Sequence, residues 1–216
     1  MKKLVIFDLD GTLLDTIADL GAACNHALEA NGFPTHPVES YPFMVGNGVR
    51  KLIERALPSE ERNPQTIDRL LGSFREYYDA HLHDFTKPYP GIESLLLELS
   101  AKGIAVAVAS NKYESAVRRL ISHFFPDIAF SAVCGNIEGV PTKPDPSIVF
   151  RILSEHPTAK DDVLYVGDSG VDIETARRAG VESVGVSWGF RPVRELTNAY
   201  ADHIVTNAAG ILDLCE

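Results

Sequence analysis

What the sequence has little of narrows it first. No apolar run approaches the ~20 residues that a membrane-spanning helix needs. The N-terminal run, Leu4-Val5-Ile6-Phe7, is four residues long. That is too short for a signal-peptide core, and it reads as a buried strand. Cysteine is scarce: Cys24, Cys134 and Cys215 stand far apart with no CxxC spacing. An odd, low count fits free thiols in a reducing cytoplasm, and neither a disulfide framework nor a zinc site is expected. Basic residues are outnumbered, 20 Lys+Arg against 30 Asp+Glu, giving a formal net charge of −10. Such a surface repels nucleic acid and anionic lipid, so no nucleic-acid and no membrane partner is expected. It repels phosphorylated metabolites as well. A phosphate site here needs local compensation from a metal ion, a lysine and backbone N–H groups.

The 216 residues are otherwise an ordinary globular mixture, 45% hydrophobic and 23% charged, enough to fill a core. Short apolar runs occur at Leu4–Phe7, 104–109, 163–166 and 181–186, with weaker ones at 130–134 and 204–205. Continuous runs of this length suit strands buried on both faces, as in a parallel sheet. Helical spacing lies between them, at 91–102, Glu114–Phe124, 146–155 and 172–179, with Gly103 and Gly180 as stops. Strand alternating with helix predicts an α/β fold with a doubly wound parallel sheet.

One stretch breaks the alternation. Residues 16–85 hold no strand pattern, only helical ones at 16–30, 48–57 and 66–83, punctuated by Gly32, Pro34, Pro37, Pro42, Pro58 and Pro64. The expectation is an α/β core from residues 1–15 and 86–216. An α-helical cap, 16–85, is inserted through two hinges near residues 15–16 and 84–87.

Ligands of open α/β sheets bind beyond the carboxyl ends of the strands. There the sequence places Asp8-Leu9-Asp10-Gly11-Thr12, then Ser110-Asn111, then Gly167-Asp168-Ser169 with Asp172. Two carboxylates at i and i+2 in a loop can face one site. Asp8 can attack phosphorus as a nucleophile. Asp10 can protonate the leaving alkoxide and then activate water. Taken alone, an Asp-x-Asp-Gly turn in which both carboxylates merely cap a loop is the commoner case. Asp8 and Asp168 on adjacent strand ends suit Mg²⁺, a hard cation that takes carboxylate oxygens. Asp172 also fits simple helix N-terminal charge complementarity. Lys143, set among Pro141, Pro144 and Pro146 on a segment read as extended, can reach the strand-end cleft, although a solvated lysine is the commoner case. Ser110 and Asn111 suit a phosphate at a helix N-terminus, or an ordinary N-cap.

Taken together, these motifs in this order resemble the haloacid dehalogenase-like hydrolase superfamily, over essentially the whole chain. The segments Phe7 to Asp15, Val45 to Leu57 and Val186-Ser187-Trp188-Gly189-Phe190 are similar to its phosphoglycolate phosphatase-type members, which carry a helical cap on a Rossmann-like core. The resemblance implies Asp8 as nucleophile and Mg²⁺ ligand. Asp10 is the acid/base, with its backbone carbonyl on the metal. Ser110 and Lys143 bind the phosphoryl group, Asp168 is a metal ligand and Asp172 supports it, with Thr12 and Asn111 as secondary phosphate contacts. It implies a cytoplasmic phosphatase of a small phosphorylated metabolite, 2-phosphoglycolate first. A phosphomutase of the β-phosphoglucomutase kind or a pyrophosphatase shares the same core motifs. A non-enzymatic protein is disfavoured because every acidic position is present.

Arg50, following Gly46-Asn47-Gly48, is the cap candidate for a second substrate anion, against the plainer reading of a solvated helix arginine. His26, His81 and His83 are expected to pack or face solvent. Either a monomer or a homodimer fits.

Overall fold

The computed structural model describes residues 1–216. Its main sheet has six parallel strands in the order β5-β4-β1-β6-β7-β8. They are β1 (Leu4–Phe7), β4 (Ala105–Tyr113), β5 (Ala132–Asn136), β6 (Val163–Gly167), β7 (Glu182–Val186) and β8 (His203–Val205). The doubly wound parallel sheet expected from the sequence is present. β1 lies inside it, in register with β4 from Leu4↔Ala105 to Phe7↔Val108 and with β6 from Leu4↔Val163 to Phe7↔Val166. All four of its residues are fully buried. Val5 and Phe7 feed the core on one face, Leu4 and Ile6 the core on the other. This is the period-two alternation of a strand covered on both sides. The covering helices are α4 (Ile92–Ala101), α5 (Glu114–Phe124), α6 (Ser147–Glu155), α7 (Gly170–Ala179), α8 (Val193–Asn198) and α9 (Ala209–Asp213).

Residues between the first strand and α4 hold the remaining helices: α1 (Ile17–Ala30), α2 (Val49–Ala56) and α3 (Pro64–Ala80). A short 3-10 turn covers Val38–Phe43. α3 starts two residues earlier than the 66–83 pattern indicated. The Asn63 side chain accepts the Thr66 N–H at 2.9 Å, and Pro64 occupies the first turn, the usual opening of a helix. The two expected hinges are not loose crossings. β2 (Leu14–Asp15) and β3 (Lys87–Pro88) pair antiparallel, Leu14 opposite Pro88 and Asp15 opposite Lys87. Beside this ribbon Asp19 of α1 is buried. Its carboxylate accepts from the backbone N–H groups of Phe85 and Thr86 and from the Thr86 hydroxyl, at 2.6 to 3.1 Å.

Three local expectations are corrected. β4 does not stop at 109 but runs to Tyr113, with its pairing to β5 irregular between Ala109 and Tyr113. Ser110 and Asn111 therefore sit in the strand, and the N-cap of α5 is Tyr113. Apolar content signals a strand only while the run stays apolar, and Ser110, Asn111 and Lys112 are polar though buried, which hid this extension. β5 begins at Ala132, not 130. The proline-rich stretch 141–146 turns rather than extends, and Lys143 donates its N–H to Asn111 Oδ1 at 2.8 Å. The histidines behave as expected: His26 and His81 stack on Tyr77, and His83 stacks on His123. No helix is long and apolar enough to cross a membrane.

Removing the Asp19 carboxylate strips several hydrogen-bond donors of their acceptor at once. Asp19→Ala is expected to lower the unfolding free energy by about 2 to 3 kcal/mol in urea titration.

Candidate active site

β1 is flanked by β4 and β6, so the side chains just past these three strands converge. Lys143, from the turn before α6, enters beneath them. Its ammonium lies 2.9 Å from Asp8 Oδ1, 2.8 Å from Asp172 Oδ1, and donates to the Ala109 carbonyl at 2.9 Å. All three ammonium protons are thereby used. The Asp8 carboxylate takes its second bond, from the Leu9 N–H at 2.7 Å, on the same oxygen. Asp8 Oδ2 is left without a protein partner.

Asp172 is fully buried and does two things. One oxygen holds Lys143. The other accepts the Ser169 hydroxyl at 2.6 Å and the Ser169 N–H at 3.2 Å, closing a capping box at the start of α7. Gly167 makes this possible. A Cβ there would fall 2.3 Å from the Asp172 Cβ, so only glycine lets the helix start so close to the end of β6. Asp168 is buried under the loop after β7. Its Oδ2 accepts the Phe190 N–H at 2.6 Å, and a Cβ on Gly189 would land 2.2 Å from its own. That loop is further fixed by the Trp188 indole, which donates to the Thr12 carbonyl at 3.1 Å.

Asp8, Asp168 and Asp172 form a cluster whose ligand oxygens all lie within 4.8 Å of one another. Three carboxylates against the one Lys143 ammonium leave two excess negative charges in a buried space. The electrostatic consequences follow. Burial raises the Asp8 carboxyl from its ordinary 3.8 to about 7; Asp172 adds to the rise and Lys143 opposes it. Burial, then Asp172 and Asp8, push Asp168 well above the ordinary carboxylate range against the Phe190 N–H. Burial alone would depress Lys143, but Asp172 and Asp8 drive it well above its ordinary value. An oxygen-rich, charge-deficient pocket of this kind is chemically suited to a hard divalent cation.

Asp10 stands apart from that cluster. Its Oδ1 accepts the Thr16 hydroxyl at 2.7 Å and lies 3.2 Å from the ammonium of Lys112. Lys112 is buried, and donates to the Tyr78 hydroxyl of α3 at 2.8 Å. Both line a cleft that also exposes Asp8, Asp10, Ser110 and Asp168. Lys143 is not on that cleft wall. Ser110 Oγ accepts the Lys112 N–H at 3.2 Å.

Three sequence-selected residues fare differently. Asn111 lines the cleft, but its amide nitrogen donates to the carbonyls of Gly46 at 3.0 Å and Lys143 at 3.1 Å. Both its side-chain protons bind the protein itself, and the amide ties two loops together. The Thr12 hydroxyl is buried, makes no hydrogen bond and lies off the cleft wall. Arg50 points away: half exposed, it pairs with Asp68 on the surface of α2 and α3. Helical position alone does not reveal which flank of a short helix faces the cleft. The cleft cations are instead Lys112 and Arg191. Arg191 donates to the Val45 carbonyl at 3.0 Å. Lys112 had a signal that sequence reading passed over, a charge two residues beyond Ser110 at the end of an apolar strand. Tyr78 and Arg191 had none.

The raised Asp8 carboxyl carries a stability consequence. It contributes to the fold while protonated; that contribution is complete below the unfolded value of 3.8 and is lost as pH rises through about 7. Metal-free Asp8→Asn protein escapes this loss. It is expected to be about 1 to 3 kcal/mol more stable than wild type near pH 8 in urea unfolding, with the difference shrinking toward pH 4.

Comparison with known proteins agrees with the geometry. The family model of haloacid dehalogenase-like hydrolases matches residues 5–186. A phosphoglycolate phosphatase of Vibrio cholerae is 33% identical over 98% of this chain and 96% of its own length. One from Pseudomonas syringae pv. tomato is 34% identical over 99% of this chain and 81% of its own. A crystal structure from Lactobacillus delbrueckii subsp. bulgaricus superposes with a TM-score of 0.93 at 33% identity, covering 100% of this chain and 99% of that one. The chain belongs to the haloacid dehalogenase-like hydrolases, and stands among the phosphatases of that family.

Proposed function

We propose that this phosphatase is an Mg²⁺-dependent phosphomonoesterase that works through a phospho-aspartate at Asp8, with 2-phosphoglycolate as its first substrate. The observation that carries the reading is the Asp8 carboxylate. One oxygen is held by Lys143 and the Leu9 N–H, and the other is unpartnered on the cleft. The relatives named above support the substrate.

Asp8, Asp168 and the backbone carbonyl of Asp10 would hold the ion, with Asp172 behind them. When bound, Mg²⁺ neutralises charge on the phosphoryl oxygens. Asp8 Oδ2 forms a bond to phosphorus as the bond to the ester oxygen breaks, and Asp10 gives its proton to that oxygen. Asp10 then takes a proton from water as the water oxygen bonds to phosphorus, and Asp8 is released. The Ser110 hydroxyl lies on the cleft wall and can donate to a phosphoryl oxygen. Lys143 acts from behind, fixing Asp8 and offsetting its charge. Residues 16–85 serve as a cap that moves on the β2–β3 ribbon against the core of residues 1–15 and 86–216, and excludes water when closed. Three free, buried cysteines fit a reducing cytoplasm.

The test is phosphate release from a panel of phosphomonoesters. Release is expected with Mg²⁺ and lost with EDTA. Asp8→Asn should lower kcat by at least about 10³-fold, and Asp10→Asn by about 10² to 10⁴-fold. Turnover undiminished in Asp8→Asn, or indifferent to EDTA, contradicts the mechanism. Isomerisation of a sugar phosphate without phosphate release favours a mutase.

A further inference from the structure

The cleft holds one ammonium that the reaction scheme does not use. Lys112 is buried with its side chain 4% exposed. It makes two polar contacts: it donates to the Tyr78 hydroxyl at 2.8 Å and lies 3.2 Å from Asp10 Oδ1. An ammonium has three protons, so one is unspent. This contrasts with Lys143, whose three protons are all bound by the protein. The other cation of the cleft, Arg191, donates to the Val45 carbonyl and lies 3.8 Å from Glu195 Oε2; the cation paired with Asp10 is Lys112. The wall above the acidic floor is otherwise largely apolar, with Leu20, Val45, Val49, Leu52 and Phe74.

Position then decides what Lys112 meets. The oxygen that Asp10 protonates belongs to the leaving group, so the leaving group must come against Asp10, and Lys112 is already there. A polyhydroxylated leaving group would find few partners on the apolar wall. A carboxylate carried close to the ester oxygen would find a desolvated ammonium, where a charge-assisted hydrogen bond is strong. Tyr78 belongs to α3 and Lys112 to β4, so inserted helices and sheet jointly hold this group. Lys112 also lies 4.7 Å from the Tyr78 ring centroid, a cation–π contact that fixes the side chain further.

We propose that Lys112, held by Tyr78, is the specificity residue that reads a carboxylate on the leaving group and selects small phosphorylated acids. The inference rests on the phosphatase reading above and gives it a substrate class.

The experiment compares kcat/KM for 2-phosphoglycolate and for ethyl phosphate, a neutral-leaving-group ester, in the full-length Mg²⁺-loaded protein. Wild type is expected to prefer the acid. Lys112→Met should reduce the ratio of the two constants roughly 10- to 100-fold, mainly through KM of the acid. Lys112→Arg should recover part of it. Tyr78→Phe keeps the ring, removes the hydroxyl and is expected to lower the same ratio by a smaller factor. It carries the test if Lys112→Met does not fold. An equal loss on both esters would mean that Lys112 merely positions Asp10, and would overturn the assignment, as would a wild type with no preference for the acid. Turnover of neither ester by wild type would instead overturn the phosphatase reading on which the inference rests.

Discussion

Lys143 brings one ammonium into a space that water does not reach and divides it among Asp8, Asp172 and the Ala109 carbonyl. The rest of the site depends on that tripod. Without it, three carboxylates would face one another across less than 5 Å, and breaking a buried pair of this kind typically costs about 3 to 5 kcal/mol. With it, Asp8 is pinned through one oxygen and presents the other. Asp172 repays the arrangement locally, because its second oxygen closes the capping box that starts α7. The same residue thus fixes a helix and a lysine. The arrangement still leaves the cluster short of positive charge, and the raised carboxyls of Asp8 and Asp168 record that deficit.

A second set of contacts joins the inserted helices to the sheet. Asn111 donates to the Gly46 carbonyl, Arg191 to the Val45 carbonyl, and Lys112 to the Tyr78 hydroxyl. All three acceptors belong to residues 16–85 and all three donors to the α/β part. Gly46 and Gly48 have positive φ, which lets the turn between them present carbonyls toward the sheet. These bonds are directional, so they fix the register in which the two parts meet around their shared apolar cluster. The β2–β3 ribbon and the Asp19 carboxylate hold the other end.

How much of this the sequence disclosed follows from physical range. Leu4–Phe7 is apolar because both faces of β1 are covered, and the same covering forces Asp8 to a strand end between β4 and β6. The acidic positions were legible for that reason. Lys143 was legible as a charge among prolines, although its turn and its three partners were not. Arg50 was legible only as a choice between cleft and solvent, because a helix position gives a direction only once the helix is docked; it lies in solvent beside Asp68. Tyr78 and Arg191 escaped because they come to the cleft from elements far apart in the chain. The end of β4 was missed because Ser110, Asn111 and Lys112 are polar residues in a strand, placed there by what they bind.

The central claim is that the free oxygen of Asp8 becomes covalently bonded to phosphorus. The most direct measurement is acid quench of the Asp10→Asn protein during turnover of 4-nitrophenyl phosphate, whose phenolate leaves without a proton from residue 10, with Mg²⁺, followed by peptide mass spectrometry. Slowing the water step should let the intermediate accumulate, and the account predicts one added phosphoryl group on the peptide at Asp8, absent from the Asp8→Asn, Asp10→Asn double variant. Phosphate released at an undiminished rate with no phosphoryl group on Asp8 would contradict it.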